Sequence, residues 1–275
     1  MYSIFHFWKH LAENKIFFSD IKNIDEFPFD EDMLSCENKG VFPDIAIKLN
    51  KNGDQFTGGE LIEIKDSKSY NISSFNSTIP TGKKNIRVVA SSEHGAIFKQ
   101  MRDAGDNVFS LEVRDVYYFV RGRKKEHQKI CVIHGSFFET VKADELIREA
   151  FSQVLDEGLA DTDITNEVKD KLKSIFSRQE SFSRVRDVEK ASVKLRFRIM
   201  TEVKNEGNIL KDSQYPEIKD DTLNLVVPYH SDEEKRQVFS NAESVMGKEQ
   251  MKNVNVFPIK HPLNGWFLVF QVDLK

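Results

Sequence analysis

Val41-Phe-Pro-Asp-Ile-Ala-Ile-Lys-Leu49, the turn Asn50-Lys-Asn-Gly-Asp54 and Gly59-Glu-Leu-Ile-Glu-Ile-Lys65 together decide the fold. The first run is β-branched and apolar, and Pro43 sits near its start, where a missing N–H is tolerated. The Asn-Gly-containing turn sends the chain back, and the second run returns as a strand. Residues 41–65 therefore read as a β-hairpin or short meander. Side chains alternate along a strand, so residues i and i+2 share a face about 6.6 Å apart. Leu61, Glu63 and Lys65 point one way; Ile62 and Ile64 point the other way, into a core.

Working outward, Ile4, Phe5, Trp8, Leu11 and Ala12 give residues 2–16 a helical spacing. An acidic loop follows at 25–37, broken by Pro28. Beyond the hairpin, the Ser- and Asn-rich segment 66–76 reads as a loop. Strands are expected at 85–90, 108–113, 116–120 and 129–134, with a short helix at 97–104 and a longer one at 143–155 that ends near Gly158. After Gly158 the composition changes. Helices are expected at 163–176, 185–203 and 232–251, and strands at 223–228, 254–258 and 266–272. The fold class is α/β, a mixed central sheet flanked by helices, with residues 1–158 as a core and residues 159–275 as a C-terminal α+β region.

The net charge of −4 over 275 residues argues mildly against a nucleic-acid partner, but the sum hides the distribution. Residues 1–60 carry 6 basic and 11 acidic side chains, residues 61–130 carry 13 and 8, and residues 169–198 carry 10 and 4. Such asymmetry points to a polyanionic partner or to solvated helix faces. No apolar run approaches the roughly 18 residues of a membrane span, no signal peptide is legible at the start, and the expected compartment is the cytoplasm. Two cysteines, Cys36 and Cys131, make neither a disulfide framework nor a zinc site. The seven histidines lack ligand spacing beyond His6 and His10. Nucleophile-elbow, phosphate-loop and dinucleotide motifs are absent.

The chemistry lies in the hairpin. A partner strand carrying Asp44 can set a second carboxylate beside Glu63. Two carboxylates at close range raise each other's pKa unless a cation lies between them. Mg²⁺ suits hard oxygen ligands and leaves positions for phosphate oxygens. Lys65, on the same face, can orient an attacking water and stabilise developing negative charge. The plain alternative is a cross-strand ion pair worth a few tenths of a kcal/mol.

Pro43-Asp44 followed after 18 residues by Glu63-Ile-Lys65 resembles the PD-(D/E)XK nuclease superfamily, and the polar loop that follows resembles those of type II restriction endonucleases. The resemblance covers at most residues 1–135. It implies a restriction-endonuclease-like core in which Asp44, Glu63 and the Ile64 carbonyl hold Mg²⁺ and Lys65 serves the water, with Glu13 as a candidate further acidic ligand. It implies cleavage of double-stranded DNA at a short site, leaving a 5′-phosphate and a 3′-hydroxyl, by a homodimer whose cognate DNA methyltransferase is encoded nearby. A repair or mobile-element nuclease of the same superfamily and a non-catalytic DNA-binding protein remain the alternatives. Next to such a site, Lys68, Ser69, Ser73, Ser74, Asn76, Lys83 and Lys84 are the candidate DNA contacts. Arg121-Gly-Arg-Lys-Lys125 reads as a solvated hairpin turn. The 185–203 helix would align Arg186, Lys190, Lys194 and Arg198 as either a phosphate-tracking stripe or a solvated face.

Overall fold

The computed structural model describes residues 34–35, 42–47, 49, 58–72, 74–76, 80–90, 96–103, 106–139, 143–176, 187–190, 193–196 and 200–274. The expected helix at 2–16, Glu13, Ser73, the turn at 50–54 and most of the acidic loop lie outside the described residues. The described elements, in chain order, begin with β1 (Leu34–Ser35), β2 (Ile45–Ile47), β3 (Leu61–Ser67), β4 (Ser74–Asn76) and β5 (Lys83–Asn85). Two helices follow, α1 (Ile86–Val89) and α2 (Ala96–Asp103), then the long hairpin of β6 (Val113–Lys124) and β7 (His127–His134). Next come α3 (Ala143–Gly158), α4 (Asn166–Phe176) and three short strands, β8 (Asp187–Lys190), β9 (Val193–Arg196) and β10 (Met200–Glu202). The chain finishes through β11 (Thr222–Tyr229), α5 (Asp232–Met246), α6 (Lys248–Met251), β12 (Asn255–His261) and β13 (Gly265–Asp273).

The main sheet runs β1-β2-β3-β6-β7-β11-β13-β12, with β5 paired to β6. It is mixed: β3 lies parallel to β6 and β7 parallel to β11, while the other pairs along this path are antiparallel. Parallel neighbours need long crossovers, and the chain between β3 and β6 supplies α1 and α2. The expected α/β class with a mixed central sheet and flanking helices is therefore what the backbone makes.

The division at 158/159 is not the one the contacts make. Described residues within Met1–Ser73, Gly82–Phe138 and Val203–Lys275 form one compact unit, and those within Ser74–Thr81 and Glu139–Glu202 form a second. The reason is β11, whose pairing with β7 joins Leu223 to Ile130 and Leu225 to Val132, drawing the C-terminal strands into the same sheet.

On one face of this sheet, Ile62, Tyr117, Val132, Leu225 and Phe270 pack with Val238, Ala242 and Met246 of α5. Ser231 caps that helix by accepting from the Glu234 N–H at 3.1 Å, and three acidic residues in its first turn suit the helix dipole. The expected single helix at 232–251 breaks at Gly247, whose φ of +83° few other residues adopt. On the opposite face, Phe137 is the hub of an aromatic cluster, with ring centroids 5.0 Å from Phe267, 5.4 Å from Phe138 and 4.9 Å from His261.

Three local expectations give way. Residues 86–89 are helical rather than extended, because the Asn85 side chain accepts from the Arg87 N–H at 2.8 Å and caps the turn. Residues 108–112 form a turn closed by Ser110 N–H to Asn107 O at 3.0 Å, and β6 then runs unbroken from Val113 to Lys124. The described residues of the basic segment at 185–203 are not helical, and Arg186 and Arg198 lie outside the described residues. Asp187 pairs with Arg196 and Lys190 with Val193 in an antiparallel β8–β9 hairpin, so Lys190 and Lys194 lie on different strands.

Candidate nuclease site

The hairpin register places Ile45 opposite Ile62 and Ala46 opposite Leu61. One step further along the same register sets Asp44 opposite Glu63. Asp44 marks the end of the β2 ladder, and its Oδ2 accepts from the Ile64 N–H at 2.7 Å. A strand residue directs its N–H and C=O to the same side, so the Ile64 carbonyl points to the edge where Asp44 sits. The two carboxylates and this carbonyl, expected as a set, are brought to one edge of β3.

Glu63 is buried at 7% exposure, while Lys65 is half-buried. Lys65 Nζ donates to Glu63 Oε1 at 2.6 Å. Glu63 Oε2 is also buried, and among the described residues it receives no hydrogen bond. Burial raises the Glu63 carboxyl above its ordinary pKa, Lys65 lowers it, and the Asp44 carboxylate raises it again. A buried carboxylate oxygen lacking a donor, beside a second carboxylate, is a disposition that a hard cation relieves.

The neighbouring residues only partly match expectation. Ile62 enters the core as expected, but Ile64 is 43% exposed. Lys84, assigned to DNA contact by sequence, lies close enough to Glu63 to interact electrostatically, and burial lowers its pKa. Its Nζ sits 4.3 Å from the Phe42 ring centroid. Lys84 is therefore a second cation beside the carboxylates. Its neighbour Lys83 is exposed and pairs in register with Asp115. Lys68 and Ser69 are exposed on the loop leaving β3. Ser74 and Asn76 belong to β4, which pairs with β10 in the second unit.

His134, without a partner at ligand spacing in the sequence, lies between Ser136 (Nδ1 to Oγ, 2.7 Å) and Asp115 (Nε2 to Oδ1, 3.4 Å). The Ser136 N–H also points to Nδ1, so His134 caps the short turn that starts at Gly135, a structural task. Among the described residues, no group of three or more His, Cys, Asp or Glu side chains gathers as a metal cluster. Any cation at Asp44 and Glu63 would draw its other ligands from backbone oxygen, water or substrate.

Comparison of the chain with protein-family models, with curated proteins and with solved structures found no match in any of the three.

Because the Glu63 carboxyl is raised, the native state holds its proton more tightly than the unfolded chain does. Its stabilising contribution is full below the ordinary carboxyl value of 4.5 and is lost as pH rises through the raised value. Glu63→Gln keeps the shape and removes that loss. Its melting temperature without divalent cation should exceed that of wild type by a margin that grows from acid to neutral pH. Added Mg²⁺ should stabilise wild type and not the variant. Identical melting curves at all pH values, with and without Mg²⁺, would contradict this picture of Glu63.

Proposed function

We propose that the chain is a Mg²⁺-dependent endonuclease of the type II restriction class that hydrolyses phosphodiester bonds of double-stranded DNA. One observation carries the reading: Asp44, beside the start of β2, meets the Ile64 backbone of β3, next to the under-bonded Glu63 carboxylate and the Lys65 ammonium. The donors are all hard oxygens and include two carboxylates, which fits Mg²⁺. Further support comes from the β2–β3 hairpin and from the parallel β6 reached through α1 and α2. These elements agree with a restriction-endonuclease-like core.

Asp44, Glu63 and the Ile64 carbonyl would hold the cation. Mg²⁺ at this position supplies charge neutralisation and Lewis-acid polarisation of a phosphate oxygen. The chain's own residues do the rest. The Ile64 N–H fixes the Asp44 carboxylate against β3. Glu63 Oε1 keeps the Lys65 ammonium within 2.6 Å, on the face where substrate would lie. Lys65 then orients the attacking water and meets the charge that grows on the phosphoryl oxygens, where a positioned donor acts only in the transition state. Lys84 adds a second positive charge beside Glu63. The products would be a 5′-phosphate and a 3′-hydroxyl. A two-fold dimer would match a symmetric site, and a DNA methyltransferase would protect the host. Cytoplasmic residence agrees with this role; among the described residues no helix is long and apolar enough to cross a membrane.

Incubation of mixed-sequence plasmid with the chain and Mg²⁺ should give discrete bands. Random nicking would instead favour a repair or mobile-element nuclease of the same superfamily. Salt-sensitive binding without any cleavage would make the chain a non-catalytic DNA-binding protein. Asp44→Ala should lose Mg²⁺-dependent cleavage yet bind DNA at least as tightly as wild type in a metal-free gel shift, because a carboxylate near phosphate is repulsive without its cation. Weaker metal-free binding by Asp44→Ala would contradict that placement.

A further inference from the structure

A pocket of about 350 Å³ opens beside the loop that leaves β3, and lysines dominate its wall: Lys68, Lys124, Lys125 and Lys211. By sequence, Lys124 and Lys125 belong to a solvated turn and Lys211 has no role. The structure instead brings them together with Lys68 in one concavity. Tyr70 forms part of the wall, with Lys129 Nζ 5.0 Å and Lys124 Nζ 5.6 Å from its ring centroid.

The pocket is built firmly. Asn208 Nδ2 donates to Tyr70 O and to Asn71 Oδ1, each at 3.1 Å. Ser67 Oγ donates to Asn71 O at 2.8 Å, which ties the loop to the strand it leaves. Gly122 of β6 lies directly behind. A Cβ there would come within 2.6 Å of Leu210 and 3.2 Å of Ser69 O, so the absence of a side chain lets both walls close on the sheet. One acid, Asp212, lines the pocket with the four lysines and is engaged by the buried Lys129; Asp220 meets the same ammonium at 3.9 Å, and Asp221 meets His127 at 2.9 Å. The remaining lysines give the wall a positive surplus.

Alternation along β3 puts Ser67 on the face of Glu63 and Lys65, and the register puts Gly122 opposite Ser67 and Lys129 opposite Gly122. The pocket and the proposed catalytic residues thus open on the same face of the sheet. Glu63 and Ser67 are four steps apart along the strand, or about 13 Å at 3.3 Å per residue. Along one DNA strand, with about 3.4 Å of axial rise per phosphate, that is roughly four nucleotides.

We infer that this lysine-walled pocket is a phosphate subsite that holds the DNA backbone about four nucleotides from the bond cut. The inference rests on the nuclease reading for its ligand and its register. Lys68 and Lys124 are exposed, and Lys211 is half-buried with its Nζ donating to Asn205 Oδ1 at 2.8 Å, so Lys68→Ala/Lys124→Ala/Lys211→Ala should melt close to wild type, and Lys68→Ala/Lys124→Ala should melt with it. The single variant Lys124→Glu provides a second, smaller perturbation of the fold.

Binding of a short labelled duplex is measured by fluorescence anisotropy in EDTA across a salt series. The triple variant should bind more weakly, and its slope of log affinity against log salt should be shallower by about 2 to 3, close to 0.9 for each phosphate that the protein no longer neutralises. Lys124→Glu should weaken binding in the same direction. Equal affinity and equal slope in wild type and both variants would overturn the subsite. So would pyrophosphate binding that the variants lose while duplex binding stays unchanged, since the pocket would then serve a small anion. Because metal-free binding needs no cleavage, a wild type that binds as expected but never cuts sinks the nuclease reading and leaves the phosphate subsite standing. A wild type that cuts, with variants whose binding is unchanged, sinks the subsite alone.

Discussion

Lys65→Ala should abolish plasmid cleavage while its metal-free affinity for duplex DNA stays within a few-fold of wild type. The separation follows from where the ammonium sits. Its Nζ is 2.6 Å from Glu63 Oε1, and the side chain is only 25% exposed. It contributes little to a long-range positive field, so encounter and binding with DNA survive its loss. Orientation of water and stabilisation of the developing charge do not survive, and help of this kind is worth roughly 10² to 10⁴ in rate. Lys65→Arg should not restore the rate, because a planar guanidinium does not occupy the space of a compact ammonium. Single-turnover cleavage at saturating protein separates the chemical step from binding. A Lys65→Ala protein that cuts at near wild-type rate would remove Lys65 from the site, and equal losses in binding and cutting would make its role one of affinity.

The largest expected effect on stability comes from a pair that touches no substrate. Arg114 and Asp106 both have fully buried side chains, and the guanidinium meets the carboxylate through Nη1 at 2.9 Å and Nη2 at 3.2 Å. Nη2 also donates to Val108 O at 2.8 Å and Nη1 to Gly59 O at 3.5 Å, while Asp106 Oδ1 accepts from Leu49 N–H at 3.4 Å. The pair therefore links the start of β6 to both ends of the connection between β2 and β3. Asp106→Ala leaves a buried guanidinium without its counter-charge and should cost about 3–5 kcal/mol, read as a fall in the denaturant midpoint. Asp106→Leu/Arg114→Met should recover much of this loss, since an apolar pair of similar size has no charge to desolvate. A single variant within about 1 kcal/mol of wild type would mean that water reaches the site.

Legibility in the sequence followed the range of the contacts. The hairpin carrying Asp44 and Glu63 is local: alternation along Leu61–Lys65 and a turn between two apolar runs suffice to pair them, and the register agrees. Joining β11 to β7 brings together residues some 90 positions apart in parallel, which no local pattern announces. That gap is why the C-terminal strands read, by sequence, as a separate region. Val88 and Val89 favour a strand by their branching, yet the Asn85 cap and the Ile86 N–H to Glu112 O bond at 2.8 Å make the segment helical. The spacing of four between Lys190 and Lys194 satisfies a helix, but Val188, Val193 and Leu195 fit a hairpin equally well, and the backbone takes the hairpin. At the site, the carboxylates and Lys65 were legible. Lys84 beside Glu63 and the convergence of Lys68, Lys124 and Lys211 were not, because each depends on how separate segments meet.

Supercoiled plasmid incubated with the purified chain, in EDTA and then with excess Mg²⁺, with Glu63→Gln prepared in parallel, tests the proposed site most directly. Cleavage should be absent in EDTA, appear on adding Mg²⁺, and be missing throughout from the variant, even though the variant is at least as stable as wild type. Plasmid left intact by wild type in Mg²⁺, or cut equally by Glu63→Gln, would contradict a nuclease centre built on Asp44, Glu63 and Lys65.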